Sequence, residues 1–119
     1  MATPRNPNRD DLRITEVLEA LSHPLRLLVV HRLAQREREG EEMSCGDLLP
    51  EVSKSTASHH WRVLRESGVV HQRRDGRRLL LHLRRADLDA RFPGVLDGVL
   101  VAAERDPGVA GAVHTGGDA

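Results

Sequence analysis

The chain has 119 residues, enough for one domain with a single modest core. It is 39% hydrophobic and 2% aromatic, with Trp61, Phe92 and no tyrosine; a core of Leu, Val and Ala suits packed helices better than a large β-sandwich. The formal net charge is zero and Cys45 is the single cysteine, which excludes an overall polycation and an intrachain disulfide framework.

No apolar run reaches the roughly 18 residues that span a bilayer. The first residues lack the apolar stretch of a signal peptide. No membrane partner is expected, and the cytoplasm is the expected compartment. The low apolar content leaves room for a buried interface with a second copy.

Residues 1–9, rich in Pro, Asn and Arg, read as a disordered arm. Asp10 or Asp11 can cap a first helix, in which Ile14, Val17, Leu18 and Leu21 recur at helical spacing on one face. Ser22-His23-Pro24 breaks it, and Pro24 suits the first position of a second helix. That helix is apolar over a wide arc (Leu25, Leu27, Leu28, Val29, Val30, Leu33), so it should be central. It is expected to fray in Arg36-Glu37-Arg38-Glu39 and stop at Gly40.

Ser44 and Asp47 form a capping-box pattern for a short third helix, ended by Pro50. Ser53 caps a fourth helix, Lys54 to Ser67, closed by Gly68. Its inward stripe is Ala57, Trp61 and Leu64. Two apolar-basic runs follow, Val69–Arg74 and Arg77–Leu83, around Asp75-Gly76, a strong hairpin signal. A two-residue turn there pairs Arg74 with Arg77 and Arg73 with Arg78. It leaves like charges opposed, for which an external polyanion is the simplest compensation. A last helix begins near Asp87, and Phe92-Pro93-Gly94 should kink or split it. From 106 the chain is Gly-rich and reads as a flexible tail.

The zero net charge hides a segregation. Residues 1–52 carry 7 basic and 10 acidic side chains, residues 53–85 carry 9 and 2, and residues 86–119 carry 2 and 6. A strongly basic middle third is the electrostatic footprint of phosphate binding. Short helix, tight turn, capped helix and basic hairpin make a helix-turn-helix with a wing. The expected fold is mainly α (α+β), a winged helix-turn-helix in the order four helices, two strands, one helix, with its DNA-binding and dimerisation domain at 10–105.

The sequence resembles the ArsR/SmtB family of bacterial repressors. The resemblance rests on Ala20-Leu21-Ser22-His23-Pro24-Leu25-Arg26, on the run from Ser53 through Ser58-His59-His60-Trp61-Arg62 to Val70, and on the Arg-Arg-Asp-Gly-Arg-Arg wing tip; it covers roughly residues 12–105. It implies a homodimer joined through the first and last helices, with the fourth helix of each subunit in successive major grooves of an operator duplex. It further implies repression relieved by a ligand, whose identity the sequence does not carry. Metal sensors of this family often carry Cys-x-Cys at the start of the third helix; the matching positions here are Ser44 and Gly46. Others use Asp and His along the last helix, which here has Asp97 and Glu104 and no histidine. Neither site is complete, so no metal and no cofactor is expected.

Lys54, Ser55, Thr56, Ser58 and His59 are the candidates for base edges or phosphates, and Arg62 and Arg65 for the DNA backbone. Arg73, Arg74, Arg77 and Arg78 suit phosphate or minor-groove contact at the wing. His60 and Trp61 read as structural. His71 and His82 sit diagonally on the outer face of the hairpin, half a metal site at most. Cys45 reads as a small apolar filler; its sharper reading is a redox-sensing thiol, lowered in pKa by a helix N-terminus. No Gly-rich phosphate loop, Gly-x-Ser-x-Gly or paired carboxylates suggest an enzyme. The competing reading is a winged-helix module whose basic face meets an acidic protein.

Overall fold

A computed structural model describes residues 5–39 and 42–109. The elements are a 3-10 turn at Arg9–Asp11, α1 (Ile14–Ala20), α2 (Pro24–Glu39), β1 (Met43–Ser44), α3 (Cys45–Leu48), α4 (Lys54–Ser67), β2 (Val70–Asp75), β3 (Arg78–Leu83), α5 (Arg85–Arg91) and α6 (Val95–Arg105). Helix α2 is central, packing against α4, α6 and β3. Its wide apolar arc explains this: Leu28, Val29, Val30 and Leu33 are all at most 2% exposed. One contiguous core runs from Leu12 to Leu100.

The hairpin differs from expectation in register. Asp75 pairs with Arg78, Arg74 with Leu79, Arg73 with Leu80 and Gln72 with Leu81. Gly76 (φ +63°) and Arg77, whose φ is not positive, form the turn, so glycine stands first of the two turn residues, as in a type II′ hairpin. Pairing therefore shifts by two residues. The inner face keeps its membership because side chains alternate with period two. Of the face Val70, Leu79, Leu81 and Leu83 that the alternation predicts to point inward, Val70, Leu81 and Leu83 are buried and Leu79 is half-buried. The opposed arginines disappear: an Asp–Arg pair flanks the turn, and the hairpin needs no polyanion to offset repulsion.

A short third strand, β1, pairs antiparallel with β3 (Met43 with Leu81, Ser44 with Leu80), giving the sheet order β1-β3-β2. Two residues are too few to show a period-two pattern in the sequence. Ser44 Oγ donates to Asp47 Oδ2 (3.0 Å) rather than capping a backbone N–H.

Asp10 and Asp11 sit in the separate 3-10 turn, and α1 begins at Ile14, beyond the start that either cap predicts. The last helix splits at Phe92-Pro93-Gly94 into α5 and α6, with Gly94 at φ +82° capping the second. Residues 6–9 are not loose chain. Asn6 Nδ2 donates to the Gln72 carbonyl (3.0 Å) and Asn6 Oδ1 accepts from the Gln72 N–H (2.9 Å). Arg84 donates to the Pro7 carbonyl (2.7 Å), and Arg9 pairs with Asp87 (2.6 Å). At the other terminus, Asp106 Oδ1 accepts from the N–H of Gly108 (2.9 Å), and Val109 is buried. The rest of the expected tail, 110–119, the start of the arm, 1–4, and the expected stop at Gly40 lie outside the described residues.

Candidate nucleic-acid interface

Helix α4 forms where the capping logic puts it. Ser53 Oγ accepts from the Thr56 N–H (3.3 Å), and Gly68 at φ +84° closes the helix. One face buries Ala57, His60, Trp61 and Leu64. The opposite face exposes Lys54, Ser55, Ser58, His59 and Arg62. Thr56 is exposed too, but its hydroxyl accepts from Ser53 Oγ (3.0 Å) and serves the cap.

The basic residues fall into two groups. Lys54, Arg62, Arg77 and Arg78 are exposed and make no ion pair among the described residues. The others are engaged or partly covered. Arg73 makes a two-pronged contact with Glu42 (3.1 and 2.7 Å). That contact outweighs burial, which acts in the opposite direction, and holds the Glu42 carboxyl below the usual carboxylate range. Arg65 donates to Gln72 Oε1 (3.2 Å) and lies near Glu66 (3.6 Å). Arg74 is half-buried, with its Nε lacking a hydrogen-bond partner. So the wing arginines expected to act alike divide into two free cations at its tip, one held by Glu42 and one half-buried.

Open grooves flank the junction of α4 and the wing. One, of about 390 Å³, is lined by Ser55, Ser58, His59 and Arg62 with Leu79 opposite. The other, of about 530 Å³, is lined by Lys54, Ser58, Arg77 and Arg78. Trp61 contributes to both while only 5% exposed.

Behind the exposed face, His60 sits in a buried polar knot. Arg26 Nη1 donates to His60 Nδ1 (3.2 Å), and Arg26 Nε donates to the Ala20 carbonyl at the end of α1 (2.6 Å). The His23 ring lies 4.6 Å from the His60 ring, and His23 Nδ1 accepts from the Leu25 N–H (3.1 Å) at the start of α2. The Ser-His-Pro-Leu-Arg segment thus ties α1, α2 and α4 together. Burial first, then His23, Arg26 and His59, hold His60 below its ordinary value. The unfolded chain therefore takes up the proton first as pH falls. Stability is full above about pH 6.5 and declines as pH drops below it, levelling once the native imidazole also protonates. Melting temperature measured from pH 8 to 5 should fall over the acid half. His60→Gln, which keeps an acceptor for Arg26, should flatten that fall, and an unchanged profile would remove His60 from the explanation.

Two sequence expectations change. His71 and His82 are directly opposite, not diagonal, and their rings stack at 4.9 Å. Among the described residues no group of three or more His, Cys, Asp or Glu is placed to hold a metal. Cys45 does open α3, but that helix has four residues and burial dominates, pushing the thiol up to about 11. The shift is opposite to that of a reactive thiolate.

Sequence reasoning missed Gln72, Glu42, Arg26 and Asn6. Gln72 is 3% exposed on the inner face between Val70 and Leu81. Its Nε2 reaches Cys45 Sγ (3.9 Å), its Oε1 accepts from Arg65 and its backbone holds Asn6. A lone polar residue at an inward position of an apolar alternation was the available signal.

The Helix-turn-helix domain family model matches residues 21–73. An uncharacterized HTH-type transcriptional regulator of Bacillus subtilis (strain 168), YceK, is 33% identical over 90 residues, covering 74% of this chain and 87% of that protein. Rv0081 of Mycobacterium tuberculosis (strain ATCC 25618 / H37Rv), another uncharacterized HTH-type transcriptional regulator, is 32% identical over 73 residues, covering 61% and 62%. The crystal structure of the transcriptional repressor BigR from Xylella fastidiosa aligns with a TM-score of 0.56 at 28% identity, covering 75% of this chain and 84% of that one. The fold is a winged helix-turn-helix, a DNA-binding rather than an enzymatic architecture.

Proposed function

Because the chain belongs to the family of HTH-type transcriptional regulators, we propose that it is a dimeric, ArsR/SmtB-type repressor that reads a duplex operator with α4 and is released by a signal. The observation that carries this is the free polar face of α4 beside the two unpaired cations of the wing tip. Ser58 and His59, mid-face, read base edges; Ser55 and Lys54 flank them. Lys54, Arg62, Arg77 and Arg78 hold phosphates. Arg65 and Arg73 brace the reading surface, half-buried Arg74 adds positive charge behind the tip, and Thr56 sets the cap. Residues 10–105 act as one DNA-binding and dimerisation domain, working in the cytoplasm where the operator is.

The homodimer reading draws on large apolar side chains left at the surface. Ile14 and Leu18 on α1 are 36% and 48% exposed, and Val101 on α6 is 49% exposed. A second copy covering the first and last helices would bury them. Repression draws on the resemblance and on the repressor name of the BigR structure.

Fluorescence anisotropy with labelled duplexes tests the reading. A dimer neutralising roughly 6–10 phosphates gives a log–log salt slope near −5 to −9. A selected operator should bind at least ~10³-fold more tightly than random DNA. Ser58→Ala should change sequence preference while leaving the salt slope intact. Absence of any DNA retention at low salt would overturn the proposal in favour of an acidic protein partner.

A further inference from the structure

Residues 5–9 meet the sheet at the β2 edge, one of its two edges. In the order β1-β3-β2, strand β2 is an edge, and an edge strand presents unpaired backbone groups. Asn6 meets this edge with its side chain. The two hydrogen bonds between its amide and the Gln72 backbone, 2.9 and 3.0 Å, reproduce one rung of a ladder. The contacts then descend: Pro7 to Arg84, Arg9 to Asp87, and Leu12 against Gly68. As the arm's numbering rises, its partners move from mid-β2 to the base of the wing. The arm therefore runs antiparallel to β2. Arg5, one residue before the rung, lies on the side that leads toward Arg74 and the turn.

The charges on this arm differ in their state. Arg9 is neutralised by Asp87, which also holds Arg84 (2.9 Å). Arg5 is exposed and has no partner among the described residues. Gln72, which receives the rung, also accepts from Arg65 of α4. Arm and reading helix are thus fixed to the same buried residue.

We infer that the N-terminal arm is a third DNA-contacting element, in which Arg5 meets the phosphate backbone beside the wing and Asn6 is the residue that positions it. This rests on the DNA-binding reading above and adds to it a contact outside α4 and the hairpin. The partner is the duplex backbone, whose phosphates an exposed guanidinium beside the wing meets whatever the sequence; a loss confined to the operator would instead assign Arg5 to a base edge and overturn the backbone contact.

The test is the salt dependence of anisotropy for the full chain on one operator duplex. Arg5→Ala should reduce the magnitude of the log–log slope by about 1 per subunit, about 2 for a dimer, with equal weakening on operator and random DNA. Arg5→Lys should restore the slope. Asn6→Ala should lower it as Arg5→Ala does, although it removes no charge, while Arg13→Ala, an exposed cation on the far side of the 3-10 turn, should not. A wild-type slope for Arg5→Ala overturns the contact. A reduced slope for Arg5→Ala with a wild-type slope for Asn6→Ala overturns the positioning role. Failure of the unsubstituted protein to bind DNA overturns the DNA-binding reading itself and is seen before any variant is made.

Discussion

Replacing Arg77 and Arg78 together with alanine is expected to weaken duplex binding by roughly 10²–10⁴-fold at ~0.1 M salt. Each is exposed and unpaired at the wing tip, so each is free to meet a phosphate. A dimer loses four such contacts. At about 1 kcal/mol or somewhat more each, the sum reaches that range. The salt slope should fall by about 3–4 units, and the loss should be similar on every sequence. The control is Arg73→Ala. Its guanidinium is already held by Glu42, so its removal should cost much less binding than either tip arginine. If Arg73→Ala matches the double variant, the division into free and held cations is wrong.

Gly68→Ala is expected to destabilise the fold by roughly 2–5 kcal/mol and lower the melting temperature by about 10 °C or more. Two costs combine. The residue sits at φ +84°, where a side chain costs ~1–2 kcal/mol. A Cβ there would lie 2.0 Å from Leu12 Cδ2, with Leu12 Cγ and Cδ1 at 3.2 and 3.4 Å. Swinging one methyl away brings the rest of the isobutyl group in, and Leu12 is 1% exposed. A double-mutant cycle separates the costs. Leu12→Ala alone should cost ~2–5 kcal/mol through its cavity. Leu12→Ala with Gly68→Ala should cost clearly less than the sum, because the clash is gone and only the backbone strain remains. Strict additivity would mean that Leu12 does not press on this turn.

The parts of the fold legible in the sequence were those set by local chemistry. Ser53 and Gly68 bound α4 because a cap and a left-handed glycine act within one helical turn. The apolar arc of α2 marked it as central. What was not legible depended on partners distant in sequence. The hairpin register is not fixed locally, because Asp75-Gly76 allows two turns and only the packing of the whole sheet selects the one with Gly76 first. β1 exists because β3 offers it an edge. The arm reads as loose in the sequence because nothing in Asn6 announces a bond to a residue 66 positions away. In the candidate site, residue types are legible but their engagement is not: Glu42, 31 residues before Arg73, takes that arginine out of the free set.

Trp61 has a practical consequence. The chain contains one tryptophan and no tyrosine, and that indole forms part of both grooves beside α4 while almost wholly shielded from water. Its emission therefore comes from one chromophore at one place. The unlabelled protein carries its own optical gauge of what enters or leaves the reading surface.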